Sequence, residues 1–384
     1  MRKLYFGLTC GVFLLSGCSS AQESTGENEN SEAQSENSEA QNENSEEQTE
    51  EAPAKQEQED ESVTIGAAGD VLLHGRVYKR MEEDGEYDFT PALKAVTPML
   101  EEPDYTIVNQ ESIPGGEELG LSAYPSFNSP YAIVDDLQDA GVDMLSGANN
   151  HTLDRGMDAV NNAINHYEQT GMDYVGVYKD EEDAERQRIV DVKDVDMGVL
   201  SYTYGLNGIE VPEGHEYVVQ KIDKEQIQED VEAMRDDADV VVVNMHWGDE
   251  YERLPNEEQK ELAQFLADLE VDVVIGHHPH VLQPMEWVEG EEGNETLVYY
   301  SLGNFYSGQD TDYTDTGGIA TFEVEKDGED VKVTEPNIDF TQVVPGPEDQ
   351  YTVKPMAEAD HPAEGGETEQ ELREHVYQWI EDQE

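Results

Sequence analysis

Thiols and cations are what this 384-residue sequence has least of. Its two cysteines, Cys10 and Cys18, both lie near the N-terminus, so nothing beyond them can form a disulfide, bind a metal through sulfur or attack as a thiolate. Lys and Arg number 21 against 90 Asp and Glu, giving a formal net charge of −69. Residues 63–384 alone hold 18 basic and 75 acidic side chains. Such a field repels phosphate backbones and excludes nucleic acid as a partner. The acid is spread along the chain rather than gathered on one helix. Concentrated salt, which shortens the Debye length to about 3 Å at 1 M, removes most of the self-repulsion of such a surface. The composition therefore predicts a halophilic host.

A membrane-spanning run is missing as well. Arg2 and Lys3 precede an apolar stretch over residues 4–15, short of the roughly 20 residues a span requires. Ser16, Gly17 and Cys18 follow directly, which reads as a lipoprotein signal at 1–17, cut before a lipid-modified Cys18. The expectation is a chain anchored at the extracellular face of the cell membrane. Residues 18–62 contain no aromatic residue, and 15 acids face one Lys. Such a segment cannot bury enough surface to fold and reads as an acidic, extended tether. Its near-repeat (ENSEAQS, ENSEAQN, ENSEEQT) has no apolar a and d positions and is no coiled coil.

From residue 63 onward short apolar runs alternate with amphipathic stretches. VTIGAAGDVLL, YTIVNQE, VDMLSGANNH, MGVLSYTY, DVVVVNMHWG, VDVVIGHHPH and TLVYYSLGNF read as buried strands; residues 133–140, 157–170, 224–236 and 256–269 read as helices. The alternation predicts one layered α/β domain over 63–345. Residues 318–344 suggest a closing antiparallel pair, and an extension at 346–384 ends in a helix over 368–383.

Nearly every strand ends in a His, Asp, Asn or Glu followed by a turn. In open α/β sheets ligands bind outside the carboxyl ends of the strands, so these scattered residues should converge. Gly276 to His280 places three imidazoles in four residues. A His278-x-His280 pair on extended backbone would aim both rings to one side, with Gly276 easing the exit from the strand and His277 pointing the other way in a structural role. A second strand delivers His246 and Trp247, the latter expected at the rim of the site or against a substrate. A third runs into Asn149, Asn150 and His151. Asn150 offers an amide oxygen to a metal, His151 a proton to a leaving group, and Asn149 reads as the turn residue. Asp70 and Glu111, after the first two strands, are each open as metal ligands or as helix caps.

Taken in order, GDVLLHG, VNQESIP, GANNHTLDRG, NMHWGDEY, GHHPHVLQ and YSLGNF resemble the successive signatures of the bacterial capsule synthesis CapA family over residues 63–306. That family is similar to the calcineurin-like metallophosphatases. The resemblance implies a four-layer sandwich of two mixed β-sheets flanked by helices, with two divalent cations (Mn, Fe, Zn or Co) at the strand ends. By motif, Asp70, Asn150, His246, His278 and His280 take ligand places, and His151 faces the phosphate. Asp70 and His151 are the implied catalytic pair. Two departures stand out. Leu72 sits where a His is usual, leaving His74 as the nearest imidazole, and Asn109 with Glu111 replaces the bridging Asp motif. The implied function is that of an accessory in poly-γ-glutamate synthesis or export, beside membrane-bound synthase and export subunits, with an anionic polymer or phosphoester as ligand. The alternative is an independent extracellular phosphoesterase or γ-glutamyl amide hydrolase.

Overall fold

A computed structural model of the chain describes residues 62–328, 330–345, 351–359, 362–363 and 365–380. The expected signal, Cys18 and the expected tether up to residue 61 lie outside the described residues. Among the described residues no helix is long and apolar enough to cross a membrane.

The strands in chain order are β1 (Val63–Leu72), β2 (Glu82–Glu83), β3 (Glu86–Tyr87), β4 (Tyr105–Gln110), β5 (Met144–Ser146), β6 (Asp173–Val175), β7 (Ile189–Val192), β8 (Val195–Thr203), β9 (Val240–His246), β10 (Val273–His277), β11 (Met285–Glu289), β12 (Glu295–Tyr299), β13 (Asn304–Ser307), β14 (Thr316–Asp327), β15 (Asp330–Pro345) and β16 (Tyr351–Pro355). β9 shows why the apolar runs carry little alternation: every one of its residues is buried, as a strand covered on both faces must be. Its two faces feed different cores. Val242 packs with Ile65, Ile107, Ile275 and Phe322 in the layer between two sheets. Val241 and Val243 point outward to Ile227, Val231, Leu262 and Leu266 of the helices Lys224–Arg235 and Glu257–Asp268.

The first sheet has the order β16-β15-β14-β1-β4-β5-β6, with β13 also pairing β1, and the second the order β11-β12-β10-β9-β8-β7. Both are mixed: β1, β4, β5 and β6 run parallel, as do β8, β9, β10 and β12, and antiparallel strands complete each sheet. Helices Ala132–Asp139 and Gly156–Thr170 cover the outer face of the first sheet through Leu137, Val160 and Ile164. The result is helix, sheet, sheet, helix, the four-layer sandwich that the motif order implied. Residues 318–344 fall within the β14–β15 hairpin. Beyond it, β16 extends the first sheet, and Thr368 and Glu371 form a capping box on a helix limited to Glu369–Val376. The helix stops short of the expected 383 because the backbone turns at Tyr377.

Ile275 is fully buried between the two sheets. Truncating it to Ala should cost about 2–5 kcal/mol through lost burial and the cavity left behind, read as a fall in the urea midpoint with the slope unchanged.

Candidate metal centre

The carboxyl ends of the parallel strands of both sheets meet at one seam. The first sheet brings Asp70, Glu111, Asn150 and His151; the second brings His246 and His277, which are register partners on β9 and β10, and the loop carrying His278 and His280. Two glycines permit this convergence. A Cβ at Gly69 would lie 2.1 Å from the Gly303 carbonyl oxygen, and one at Gly276 would lie 2.0 Å from that of Tyr300. Gly276 thus serves close approach within β10 and not a turn out of it.

Asp70 is fully buried. Its Oδ1 accepts a hydrogen bond from Asn109 Nδ2 at 2.7 Å, and its Oδ2 pairs with His280 Nδ1 at 3.0 Å. Asn109 therefore orients Asp70. His277 does not point the other way: as the register partner of His246 it faces the same side, with Nδ1 3.5 Å from Asp70 Oδ1 and Nε2 3.4 Å from Asn244 Oδ1.

Glu111 is also fully buried, and neither of its carboxylate oxygens has a hydrogen-bond partner. The nearest imidazole nitrogens, His246 Nε2 at 3.5 Å and His280 Nδ1 at 3.6 Å, are too distant to donate well. Two buried groups with donor atoms within 4.8 Å of one another share this residue: Asp70, Glu111 and His280, and Glu111, His246 and His278. Asn150 adjoins the second through Oδ1, 3.0 Å from His246 Nε2. A buried carboxylate with both oxygens unsatisfied, flanked by imidazoles with free nitrogens such as His246 Nδ1 and His278 Nδ1, fits divalent cations. Mixed nitrogen and oxygen donors suit first-row metals, and a carboxylate shared by two groups can bridge two of them.

The electrostatics point the same way. Burial pushes Glu111 up, only partly offset by His280. Burial alone would raise Asp70 too, but His277 and His280 hold its carboxyl well below the usual range. His246 and His278 are pushed well below the usual imidazole value, chiefly by burial. His280 goes the other way: against burial, the Glu111 and Asp70 carboxylates push it up to about 9.

His151 stands beside this centre. Its Nδ1 lies 2.7 Å from Asp154 Oδ2, which also accepts from the Phe127 amide at 2.7 Å. The Phe127 ring meets His151 edge-on at 4.7 Å and His74 at 5.2 Å. His74 is thus a buttress two rings away, with Nδ1 3.1 Å from the Leu72 carbonyl oxygen; burial pushes it down to about 4. Asn149 is the turn residue, its Oδ1 accepting from the His151 amide at 3.0 Å.

Two further expectations are corrected. Trp247 is 1% exposed and lies in the outer core, donating from Nε1 to the Tyr300 carbonyl at 2.9 Å. The side chain after His246 on a strand must face the opposite way, away from the site. The His278-x-His280 pair is not extended, since both residues have positive φ, +96° and +60°. The turn, not strand alternation, brings their rings to 5.9 Å. The residues that strand-end reasoning missed are Glu250, grouped with His278 and His280, and Asn207, Tyr204 and Tyr251, all on loops with no period to reveal them. Asp154 stood in the quoted turn, but only the fold turns its carboxylate on to His151.

A family profile described as bacterial capsule synthesis protein PGA_cap matches residues 64–309, and the chain belongs to this family. It is 27% identical over 311 residues to the PGA biosynthesis protein CapA of Bacillus subtilis (strain 168), covering 79% of this chain and 78% of that one. It is 27% identical over 291 residues to the capsule biosynthesis protein CapA of Bacillus anthracis, covering 72% and 67%. Among solved structures it is similar to the calcineurin-like phosphoesterase YfkN from Bacillus subtilis, at 16% identity and TM-score 0.42, over 83% of this chain and 96% of that one.

Trp247→Phe removes a buried donor from the Tyr300 carbonyl. It should lower stability by about 1–3 kcal/mol while leaving metal content as in the wild type. Unchanged stability with altered ligand affinity would return Trp247 to the rim.

Proposed function

We propose that this capsule-family chain works at the outer face of the cell membrane, tethered through a lipid on Cys18, as an accessory to poly-γ-glutamate synthesis or export with a hydrolytic centre for two divalent cations. The polymer is suggested by the names of its relatives, and the anchor by the Leu-Ser-Gly-Cys sequence after a short apolar run. The observation that carries the hydrolytic reading is Glu111: buried, ionisable and without a hydrogen-bond partner on either oxygen, between imidazoles from the opposite sheet.

Asp70, Glu111 and His280 would hold one cation, and Glu111, His246 and His278 with Asn150 the other. Bound cations supply Lewis-acid polarisation of an ester or amide oxygen and offset the charge that grows on it. The chain's own residues do the rest. Asn109 holds Asp70 in position. Asp154 holds His151 at Nδ1, leaving Nε2 to pass a proton to the leaving oxygen or nitrogen. Phe127 fixes the plane of that ring, and the burial of the whole seam excludes bulk water.

Two measurements test this reading. Replacing Cys18 by Ala should move the chain from the membrane fraction to the soluble one; retention with the membrane would remove the lipid anchor from the proposal. Elemental analysis of the mature chain, loaded with Mn²⁺ or Zn²⁺ in high salt, should give about two ions per chain, and fewer in His246→Ala, His278→Ala and Glu111→Gln. No metal in the wild type would sink the hydrolytic centre. The affinity carries its own signature. Because His280 is pushed up to about 9, an entering cation must displace a proton below that pH. Affinity should therefore rise about tenfold per pH unit from neutrality and level off above about pH 9.

A further inference from the structure

On a surface this acidic the position of large exposed apolar side chains is informative. Among the described residues they are Tyr124, Tyr204, Ile209, Tyr251 and Leu254, from 76% exposed at Tyr124 to 39% at Ile209. All five lie on three loops: the one holding Tyr124, the one after β8 and the one after β9. These loops gather at the candidate centre. The Tyr204 ring is 4.6 Å from that of His278, and the Tyr251 ring is 6.2 Å from that of His280. Tyr251 has φ +68°, a costly conformation for a bulky residue, and its amide donates to the Pro279 carbonyl in the histidine loop at 2.8 Å. An apolar cluster held at such a place marks a ligand surface.

Tyr124, Ser126, Asn207 and Ile209 line a cleft of about 320 Å³ whose floor is Asn150 and His151. Pro125, Asp154 and Glu250 complete it, and no Lys or Arg lines it. The arginines on flanking segments are engaged elsewhere. Arg155 donates to the carbonyls of Leu119 and Gly120 and to Ser122 Oγ; Arg253 pairs with Glu367 and lies over the Tyr313 ring. A carboxylate-bearing chain in this cleft would meet the exposed Glu250 with no Lys or Arg in the lining to offset it. A ring with an apolar face would meet Tyr124 and Ile209, with amide and hydroxyl groups of Asn207 and Ser126 at its edge.

We propose that the group next to the bond cut at this centre is an uncharged ring with an apolar face, seated against Tyr124 and Ile209, and not a segment of polyanionic chain. The proposal rests on the hydrolytic reading of the centre and narrows its substrate: the centre acts on a ring-bearing ester or amide rather than on the polymer backbone.

Calorimetric titration of the Mn²⁺-loaded chain in high salt with four phosphonates tests it: methyl, phenyl, cyclohexyl and 4-carboxyphenyl. Phenyl- or cyclohexylphosphonate should bind about tenfold more tightly than methylphosphonate, and 4-carboxyphenylphosphonate more weakly than phenyl. A preference for phenyl over cyclohexyl assigns an aromatic ring; equal affinities assign a ring accepted by its apolar face alone, as a saturated sugar ring would be. In Tyr124→Ala combined with Ile209→Ala, both surface positions, the ratio of ring to methyl affinity should fall to about one. Equal affinity for methyl and ring probes in the wild type, or tightest binding of the carboxylate, overturns the ring assignment and leaves the metal centre standing. Binding of none of the four overturns the hydrolytic reading and the ring assignment with it.

Discussion

Glu111 is a carboxylate sealed at the seam between two sheets with no hydrogen bond to either oxygen, and the arrangement around it follows from that constraint. An ionised carboxylate taken out of water without a partner costs several kcal/mol. Neighbouring imidazoles, His280 foremost, compensate only in part: His280 rises to about 9 while Glu111 itself is still pushed up. The two sheets divide the work. Asp70, Glu111 and Asn150 arrive from the first, His246, His278 and His280 from the second, so these donors meet where the sheets face each other. A single sheet could not surround one carboxylate in this way. That is the physical reason a two-sheet sandwich, rather than one doubly wound sheet, suits this residue set.

Holding such a centre requires strain and close approach elsewhere. His278 and His280 both occupy positive φ, and Gly69 and Gly276 let strands approach to distances that any side chain would prevent. Asn109 on Asp70 and Phe127 against the His151 ring each fix one group from another element, and Asp154 fixes His151 from within the same turn. Because these buttresses come from a strand, a turn and a loop, the geometry is set by the fold as a whole and not by any one motif. The side chains that face the reacting position are thus few, and those that hold them, Asn109, Phe127 and Asp154, come from separate segments of the sequence.

Much of this was readable from residue order alone, for identifiable reasons. Strands buried on both faces leave unmistakable apolar runs, and the polar residue ending each run marks the edge at which it emerges; Asp70, Glu111, Asn150, His151, His246, His278 and His280 were found that way and stand together in the fold. Helix limits were legible where capping chemistry was strong, as at Asn256 with Gln259. What escaped depended on information that local sequence does not carry. Trp247 was placed at the rim by adjacency to His246, although alternation along β9 sends neighbouring side chains to opposite faces. Strand geometry was extended one step too far at His278 and His280, where the chain has already turned. Glu250, Tyr204 and Asn207 sit on loops whose course is fixed by contacts across the sheets, so no periodicity announced them.

The charge of the chain bears on the cleft more than on the fold. At low ionic strength a formal charge of −69 opposes the approach of any anion, and at about 1 M salt the screening length of about 3 Å reduces that opposition to contact range. Long-range attraction therefore cannot be what selects a ligand here under either condition. Selection must come from contacts a few ångströms long: donor atoms for cations at the floor, hydrogen-bonding side chains at the edge and apolar rings at the mouth. Of these, only apolar contact keeps its strength regardless of salt, and concentrated salts of the excluded kind strengthen it. A cleft with Tyr124 and Ile209 in its lining, in a strongly acidic protein, is thus a form of recognition that screening leaves intact.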